Sequence, residues 1–318
     1  MIKQPLVSVV INCYNGEEFV EAAINSVLSQ TYQNFEIVFF DNMSTDKTRD
    51  IITKYTDIRV KYFCSEKHVS LGIARNLALT KTSGEYISFL DVDDLWYPDK
   101  LSEQIVLFDN PKIGMIYSNI DKVNSRGEII YSDKLDSNKN FTNVSFNDLF
   151  LNYDVVMSSS IISKSALSSV GKSFDELLIY AEEYDLFMRI CSSYNAIKVN
   201  SILTSYRIHS KQATNSLFER SILEEEYVLS KLSILVPDLV SSNIKILDKK
   251  NQKLAWQKFL YFISQVEAKY ARKKLLPYIF RSLKFFIFYF LSFFGCKIIM
   301  FLWNIKREKT KNIKYNHK

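Results

Sequence analysis

Residues 6–11 (Leu-Val-Ser-Val-Val-Ile) form a nearly unbroken apolar run, rich in β-branched side chains. Such a run predicts a parallel strand buried on both faces. It stops at Asn12-Cys13-Tyr14-Asn15-Gly16, a turn, after which residues 17–30 set Phe19, Ala22, Ala23, Val27 and Leu28 at the spacing of a helix packed on a sheet. Residues 35–40 predict a second strand ending at Asp41-Asn42, and Ser44-Thr45-Asp46 offers capping side chains for a helix to about Tyr55. Residues 60–63 read as a third strand, residues 71–79 as a helix carrying Arg75-Asn76, and residues 85–90 as a fourth strand. This alternation predicts a βαβ series: a parallel sheet with right-handed crossovers. Polar residues close one strand after another: Asn12 and Tyr14, then Asp41, then Asp91 and Asp93. They should therefore share the carboxyl edge of the sheet, where open α/β folds bind ligands.

After Asn110 the pattern changes. Residues 115–117 and 129–131, across Ser125-Arg126-Gly127-Glu128, suggest a strand and a hairpin. Residues 157–162 read as a strand, 165–170 as a short helix, and 182–191 as a helix with acids in its first turn. Residues 196–199 could be an edge strand leading to Tyr206-Arg207-Ile208-His209, and from Leu217 onward the spacing is helical.

The fourth strand runs into three carboxylates, Asp91, Asp93 and Asp94, just ahead of Trp96-Tyr97-Pro98-Asp99. Carboxylates crowded at a strand end repel one another, so a cation is expected among them. A hard divalent ion that bridges carboxylate and phosphate oxygens suits the position. An acidic turn leading into a helix N-terminus, favoured by the helix dipole, is the alternative reading.

A chain of 318 residues with 47% apolar and 24% charged residues can bury a large core, which excludes wholesale disorder. Cys13, Cys64, Cys191 and Cys296 are far apart with no Cys-x-x-Cys pair, as expected of reduced thiols in a cytosolic protein and not of a disulfide framework or zinc site. No cleavable signal pattern precedes the first strand, so a cytoplasmic setting is expected. The net charge of +6 is mild but local: from Lys297 to Lys318 there are seven Lys or Arg against one acid, Glu308. Just before it, residues 285–296 are uncharged and mostly aromatic. Twelve residues are too few to span a bilayer, and both flanks are basic, which argues against a single span. An in-plane anchor on an anionic membrane surface ranks first, a buried helix second and a true span third; no nucleic-acid partner is expected.

Five pieces occur in order: Val7-Ser8-Val9-Val10-Ile11-Asn12-Cys13-Tyr14-Asn15, Ser29-Gln30-Thr31-Tyr32-Gln33-Asn34-Phe35-Glu36-Ile37, Asp41-Asn42-Met43-Ser44-Thr45-Asp46, Ala74-Arg75-Asn76 and Asp91-Val92-Asp93-Asp94. Together, over roughly residues 5–210, the chain resembles the family 2 inverting glycosyltransferases, which have the glycosyltransferase A-type fold. The resemblance implies an α/β, Rossmann-like fold with a mixed, mostly parallel sheet flanked by helices and a helical C-terminal region. It implies a nucleotide-sugar-binding catalytic domain over residues 1–215; beyond it the helical spacing predicts a helical region over 216–318, and the basic, aromatic-rich composition a membrane-associating segment at about 275–310.

By similarity, Asp41 would accept the N–H of a uracil-like base, with Asn12 and Tyr14 beside the base and Arg75 near the nucleotide. Asp91 would contact the ribose, and Asp93 would hold Mg²⁺ or Mn²⁺ on the diphosphate of the donor, with His209 as a possible further ligand. Asp94 reads as a supporting or helix-start carboxylate. Where the family usually has a second Asp beside Asp41, this chain has Asn42. Ala181-Glu182-Glu183-Tyr184-Asp185 resembles the helix start that supplies the base for the acceptor hydroxyl. That position is Glu183, where Asp is usual, with Glu182 and Asp185 as fallbacks.

The implied activity is transfer of a single sugar, UDP-sugars favoured, to a glycan or lipid-linked acceptor in cell-surface polysaccharide or oligosaccharide synthesis, at the cytoplasmic face of the membrane. The Gln-x-x-Arg-Trp motif of processive synthases is absent. A sugar nucleotidyltransferase is the first rival, but Asn15-Gly16 supplies one glycine where such enzymes favour a glycine-rich phosphate loop. A non-catalytic nucleotide-sugar-binding protein is the second.

Overall fold

The structure is a computed structural model that describes residues 4–135, 139–171, 173–209, 212, 218–238, 244–293, 295, 296 and 299. Two compact units divide the chain, residues 1–217 and 218–318.

The first unit begins as the apolar pattern predicts, with strand β1 (Val7–Cys13), helix α1 (Val20–Leu28), β2 (Phe35–Asp41), α2 (Thr48–Ile52), β3 (Val60–Cys64), α3 (Leu71–Leu79) and β4 (Tyr86–Phe89). β1 lies between β2 and β4, parallel to both, and β3 adds to β2. The chain thus winds outward from β1 to β3, then returns to the other side of β1. The carboxyl ends of β1 and β4 flank this reversal, and in sheets of this kind such a point opens a crevice. Val9, Ile11, Ile37 and Phe39 from the strands meet Val20, Ile24 and Val27 of α1 in the core. Gly84 lets β4 in: a Cβ there would lie 2.6 Å from the Ser8 nitrogen and 2.7 Å from the Leu6 carbonyl oxygen.

Beyond β4 the sheet becomes mixed. β5 (Leu95–Trp96) and α4 (Lys100–Ile105) precede β6 (Ile113–Val123), β7 (Ile129–Ser132), β8 (Phe141–Val144) and α5 (Phe146–Leu151). There follow β9 (Ile161–Ser163), α6 (Lys164–Ser169), α7 (Glu182–Cys191) and β10 (Asn195–Arg207). Among the described residues the sheet order is β3-β2-β1-β4-β9-β6-β10-β5, with β7 on β6 and β8 on β10.

Two expectations need correction. Residues 157–162 are not one strand: Met157–Ser159 is a 3₁₀ turn and only Ile161–Ser163 pairs, antiparallel to both β4 and β6. The serines explain it. Ser159 and Ser160 donate their hydroxyls to the Val156 and Met157 carbonyls at 2.8 and 2.7 Å, a local bond that competes with the ladder. Nor is 196–199 an edge strand. It opens a thirteen-residue strand flanked by β6 on one side and by β8 and β5 on the other, and β8 and β5, at four and two residues, are too short to carry a periodic pattern.

The second unit is helical: α8 (Phe218–Leu235), α9 (Ile244–Ser264), α10 (Ala268–Leu275), a 3₁₀ turn (Leu276–Arg281) and α11 (Leu283–Leu291). Trp256, Phe259, Ile263, Ala271, Leu275 and Phe285 make its core. Among the described residues no helix is long and apolar enough to cross a membrane. Of the segment expected near 275–310, residues 294, 297, 298 and 300–310 lie outside the described residues, as does the basic tail beyond them.

Candidate functional site

The carboxyl ends of β1 and β2 are tied together first. The Asn42 N–H donates to the Cys13 carbonyl (2.8 Å), the Thr45 N–H to Asn15 Oδ1 (2.8 Å), and the Glu17 N–H to Asp46 Oδ2 (2.9 Å). Gly16 permits a close crossing, since a Cβ would meet Cys13 Sγ at 2.5 Å and the Val92 methyls at 3.1 and 3.3 Å. Asp41 is buried at this corner and accepts from the Ser44 N–H and the Tyr62 hydroxyl, both at 2.8 Å. Asn42 turns the other way. Its amide donates to the Val69 carbonyl at 2.8 Å and accepts the Val69 N–H at 3.1 Å, pinning the loop after β3. That loop brings His68 against Tyr14, with ring centroids 4.2 Å apart, while half of the tyrosine stays exposed. Asn12 buries its amide nitrogen without a hydrogen-bond partner among the described residues.

The three carboxylates after β4 have three different environments. Asp91 accepts from Arg75 Nη2 at 3.0 Å, and its own N–H donates to Ser158 Oγ at 3.0 Å. Asp93 Oδ2 lies 2.9 Å from His209 Nε2. Burial, and after it the Asp91 charge, raise the Asp93 carboxyl above the ordinary range, with His209 pulling the other way. Asp94 is fully buried, receives the Ser158 hydroxyl at 2.5 Å and the Arg207 N–H at 2.9 Å, and is raised well above the usual range by burial and by its two acidic neighbours. Arg207 also donates Nε to the Asp93 carbonyl at 2.8 Å. The end of β10 is therefore stitched to the acidic turn, and His209 is carried to Asp93 by that stitch.

Helix α7 brings its first turn to the same place. Arg75, buried on α3, donates to Glu182 Oε1 at 2.6 Å with one nitrogen and to Asp91 with another. Asp185 is fully buried and holds Arg189 at 2.9 and 2.7 Å. Glu183 alone of the three acids has no hydrogen bond or ion pair among the described residues. It is partly buried, and burial pushes its carboxyl up to about 8; Arg75 opposes the rise, and Glu182 and Asp91 add to it. The site residues expected from sequence thus gather in two adjoining groups. Asn12, Tyr14 and Asp41 form the corner of β1 and β2, and Arg75, Asp91, Asp93, His209 and Glu182–Glu183 form the acidic centre. Asp185 points away, into its pair with Arg189.

Several supports escape sequence reasoning. Ser158 joins Asp91 to Asp94, and its carbonyl accepts the Trp96 indole N–H at 2.7 Å. Lys100 is fully buried; it donates to Ser88 Oγ at 3.0 Å and Gln104 Oε1 at 2.8 Å, and sits 4.1 Å from the Trp96 ring centre. Burial pushes its amine well below the ordinary lysine range. Tyr153 buries a hydroxyl that has no hydrogen-bond partner among the described residues, close enough to Glu183 to feel its charge. A lone serine, lysine or tyrosine carries no spacing signal, and only contact across the fold reveals these.

Among the described residues no three His, Cys, Asp or Glu side chains converge on one point as a ready-made cage. Asp93 and His209 supply one carboxylate and one imidazole side by side, with Asp91 adding negative charge. That donor set fits Mg²⁺ or Mn²⁺ taking its remaining oxygens from a diphosphate and water.

Residues 8–171 match the family described as Glycosyl transferase family 2. The Escherichia coli protein UDP-Glc:alpha-D-GlcNAc-diphosphoundecaprenol beta-1,3-glucosyltransferase WfgD is 30% identical over 219 residues, covering 67% of this chain and 81% of that protein. Among solved structures, S. aureus TarS 1-349 in complex with UDP-GlcNAc aligns with a TM-score of 0.60 at 18% identity, covering 86% of each chain. Mannosyltransferase PcManGT from Pyrobaculum calidifontis, in complex with GDP-Man and Mn²⁺, aligns with a TM-score of 0.62 at 16% identity, covering 87% of this chain and 76% of that one. At such identities the two structures speak to the fold alone, which is the glycosyltransferase A type.

Proposed function

The chain belongs to glycosyl transferase family 2, and from that premise we propose that it moves one hexose, with inversion, from a UDP-sugar to a lipid-linked or glycan acceptor. The observation that carries this reading is the Arg75 bridge. One guanidinium joins Asp91, on the donor side, to Glu182, the immediate neighbour of the unpaired Glu183. The donor's carboxylate and the acceptor's base are thereby held in a fixed relation, as an in-line displacement requires.

In this reading Asp41 accepts the N–H of the base while Tyr14 lies along the base and Asn12 donates its spare amide hydrogen. Asp91 receives the ribose hydroxyls. Asp93 and His209 would hold a divalent cation, which when bound would supply positive charge to stabilise the departing diphosphate. Glu183 takes the proton from the acceptor hydroxyl. The acceptor oxygen bonds to the anomeric carbon from the face opposite the leaving group, the carbon–phosphate-oxygen bond breaks, and UDP departs with the electron pair. Among the described residues, Glu182 and Asp185 of α7 are each paired with an arginine and Glu183 is not, which supports assigning the base there. The acceptor named for WfgD, a GlcNAc-diphosphoundecaprenol, is the first to try, with UDP-glucose as donor. A lipid-linked acceptor of that kind would set the reaction at the cytoplasmic face of a membrane, in the synthesis of a surface polysaccharide or oligosaccharide.

The test is transfer from UDP-glucose to a GlcNAc-diphospho-lipid, followed with Mn²⁺ and after chelation. Asp93→Asn and Glu183→Gln are each expected to lower the rate at least about 10³-fold, and Glu183→Gln to leave UDP binding unchanged. Full activity in both variants, or turnover that survives thorough chelation, would overturn the assignment.

A further inference from the structure

In the C-terminal unit, residues 268–293 carry six Lys or Arg and no Asp or Glu. Helix α11 is apolar on two sides. Inward, Phe285 stacks on Trp256 with centroids 5.7 Å apart, and Phe288 meets the same indole edge-on at 5.1 Å. Outward, Leu283, Phe286, Ile287 and Phe290 are 75, 40, 44 and 45% exposed. Their spacing of i, i+3, i+4 and i+7 makes one stripe along the helix. Phe280 before it (86% exposed) and Phe293 after it (58%) extend the stripe. Its rings form a row, with centroid separations of 6.3 Å for Phe280–Phe286, 4.7 Å for Phe286–Phe290 and 6.4 Å for Phe290–Phe293.

Aromatic area of this extent standing in water is unfavourable, and a contiguous apolar ridge marks a surface that meets something. We propose that it meets an anionic lipid surface, with α11 lying in the plane of the headgroups and the Phe280–Phe293 stripe entering the acyl boundary. Three observations select this occupant. Every charged side chain from 268 to 293 is a cation; Arg281 lies 3.6 Å from Asp248 and Lys284 lies over the Trp256 ring, and Lys269, Arg272, Lys273 and Lys274 of α10 complement anionic headgroups. Arg272 lies at the rim of the stripe, its guanidinium 4.1 Å from the Phe293 ring centre and its Nη1 donating to the Ser292 carbonyl, where a headgroup phosphate would meet it. The nine residues of α11 reach about 13 Å, under half of a bilayer core, so the helix suits the interface and not a span. Phenylalanine on one side with Lys and Arg flanking it is the composition of interfacial helices. The inference goes beyond the catalytic reading and does not depend on it.

The experiment is sedimentation of the full chain with vesicles of phosphatidylcholine alone and of phosphatidylcholine mixed with phosphatidylglycerol. The native protein is expected to pellet at least about tenfold more with the anionic vesicles, and less at high salt. Phe286→Ser with Phe290→Ser should lower vesicle binding about tenfold at unchanged circular dichroism and UDP affinity. Phe280→Ser alone, at the most exposed ring, gives a smaller loss in the same direction and guards against a folding defect in the double variant. A protein that stays in the supernatant with anionic vesicles at low salt overturns the proposal. So does binding that the serine variants leave unchanged, and so does a dimer in sedimentation equilibrium that those variants convert to monomer without any vesicle binding in the native chain. Loss of glycosyl transfer in the Asp93 variant tests the catalytic reading separately and leaves vesicle binding unaffected.

Discussion

Glu183 and Arg75 show how much chemistry turns on which neighbours a side chain already has. Three acids share the first turn of α7, yet Asp185 is bound to Arg189 and Glu182 to Arg75. With a carboxyl raised to about 8 by burial, Glu183 must lose its proton before it can act as a base. The kcat/KM of the native enzyme is therefore expected to rise with pH through about 8, a limb that Glu183→Gln abolishes; a pH–rate profile checks it. Stability moves the opposite way. The folded-state pKa lies above the ordinary 4.5, so the folded chain keeps a proton that the unfolded chain sheds. This contribution is fully present below pH 4.5 and is lost as pH rises through about 8. Urea denaturation at about pH 9 should accordingly find Glu183→Gln more stable than the native protein. Arg75→Ala strands two carboxylates at once, Glu182 in the interior and Asp91 at the centre. It should cost about 3–5 kcal/mol of stability by the same measurement, together with most of the transfer rate.

Among the elements, those whose residues face a neighbour across the sheet at period two, or across a helix at its own period, were legible. β2, β3 and α3 fall within a residue of their expected ends, and β1 runs two residues past its expected end, because an apolar run bounded by Asn, Asp or Gly admits few other readings. The 157–163 segment was legible only in half, since two adjacent serines, Ser159 and Ser160, make local bonds that compete with the ladder. β5 and β8 carry two and four residues and too little pattern to be seen. Gly84 ties two elements at a backbone crossing. A methyl there must displace the Ser8 nitrogen or the Leu6 carbonyl, backbone atoms that lack a flexible side chain's freedom to give way. Gly84→Ala should destabilise the first unit by about 1–3 kcal/mol, read from the shift of the urea midpoint, and lower activity through the misplaced end of β4.

At the scale of the whole molecule, the site is a concentration of like charge that folding has to hold together. The Asp91 charge raises the proton affinity of Asp93, and both raise that of Asp94, while Arg75, His209 and the Arg207 backbone restrain the cluster. Ligands that relieve this repulsion should stabilise the fold. UDP and Mn²⁺ together are expected to raise the melting temperature more than the sum of either alone, and at a hundredfold excess over Kd the gain is about 2.7 kcal/mol. A thermal scan checks it, and Asp93→Asn should remove the synergy.

The alternation of the first four strands with helices, the polar ends at which those strands stop, and hence the edge where Asn12, Tyr14, Asp41, Asp91 and Asp93 meet were all determined by the chain itself. They follow from periodicity and from where apolar runs end, which are local properties. The partner of each carboxylate was decided only in three dimensions. Arg75 reaches Glu182 across 107 positions and His209 reaches Asp93 across 116. Which of three adjacent acids stays unpaired depends on those distant arrivals, because the charge a carboxylate feels is set by what folding brings within a few ångströms of it and not by its neighbours along the backbone.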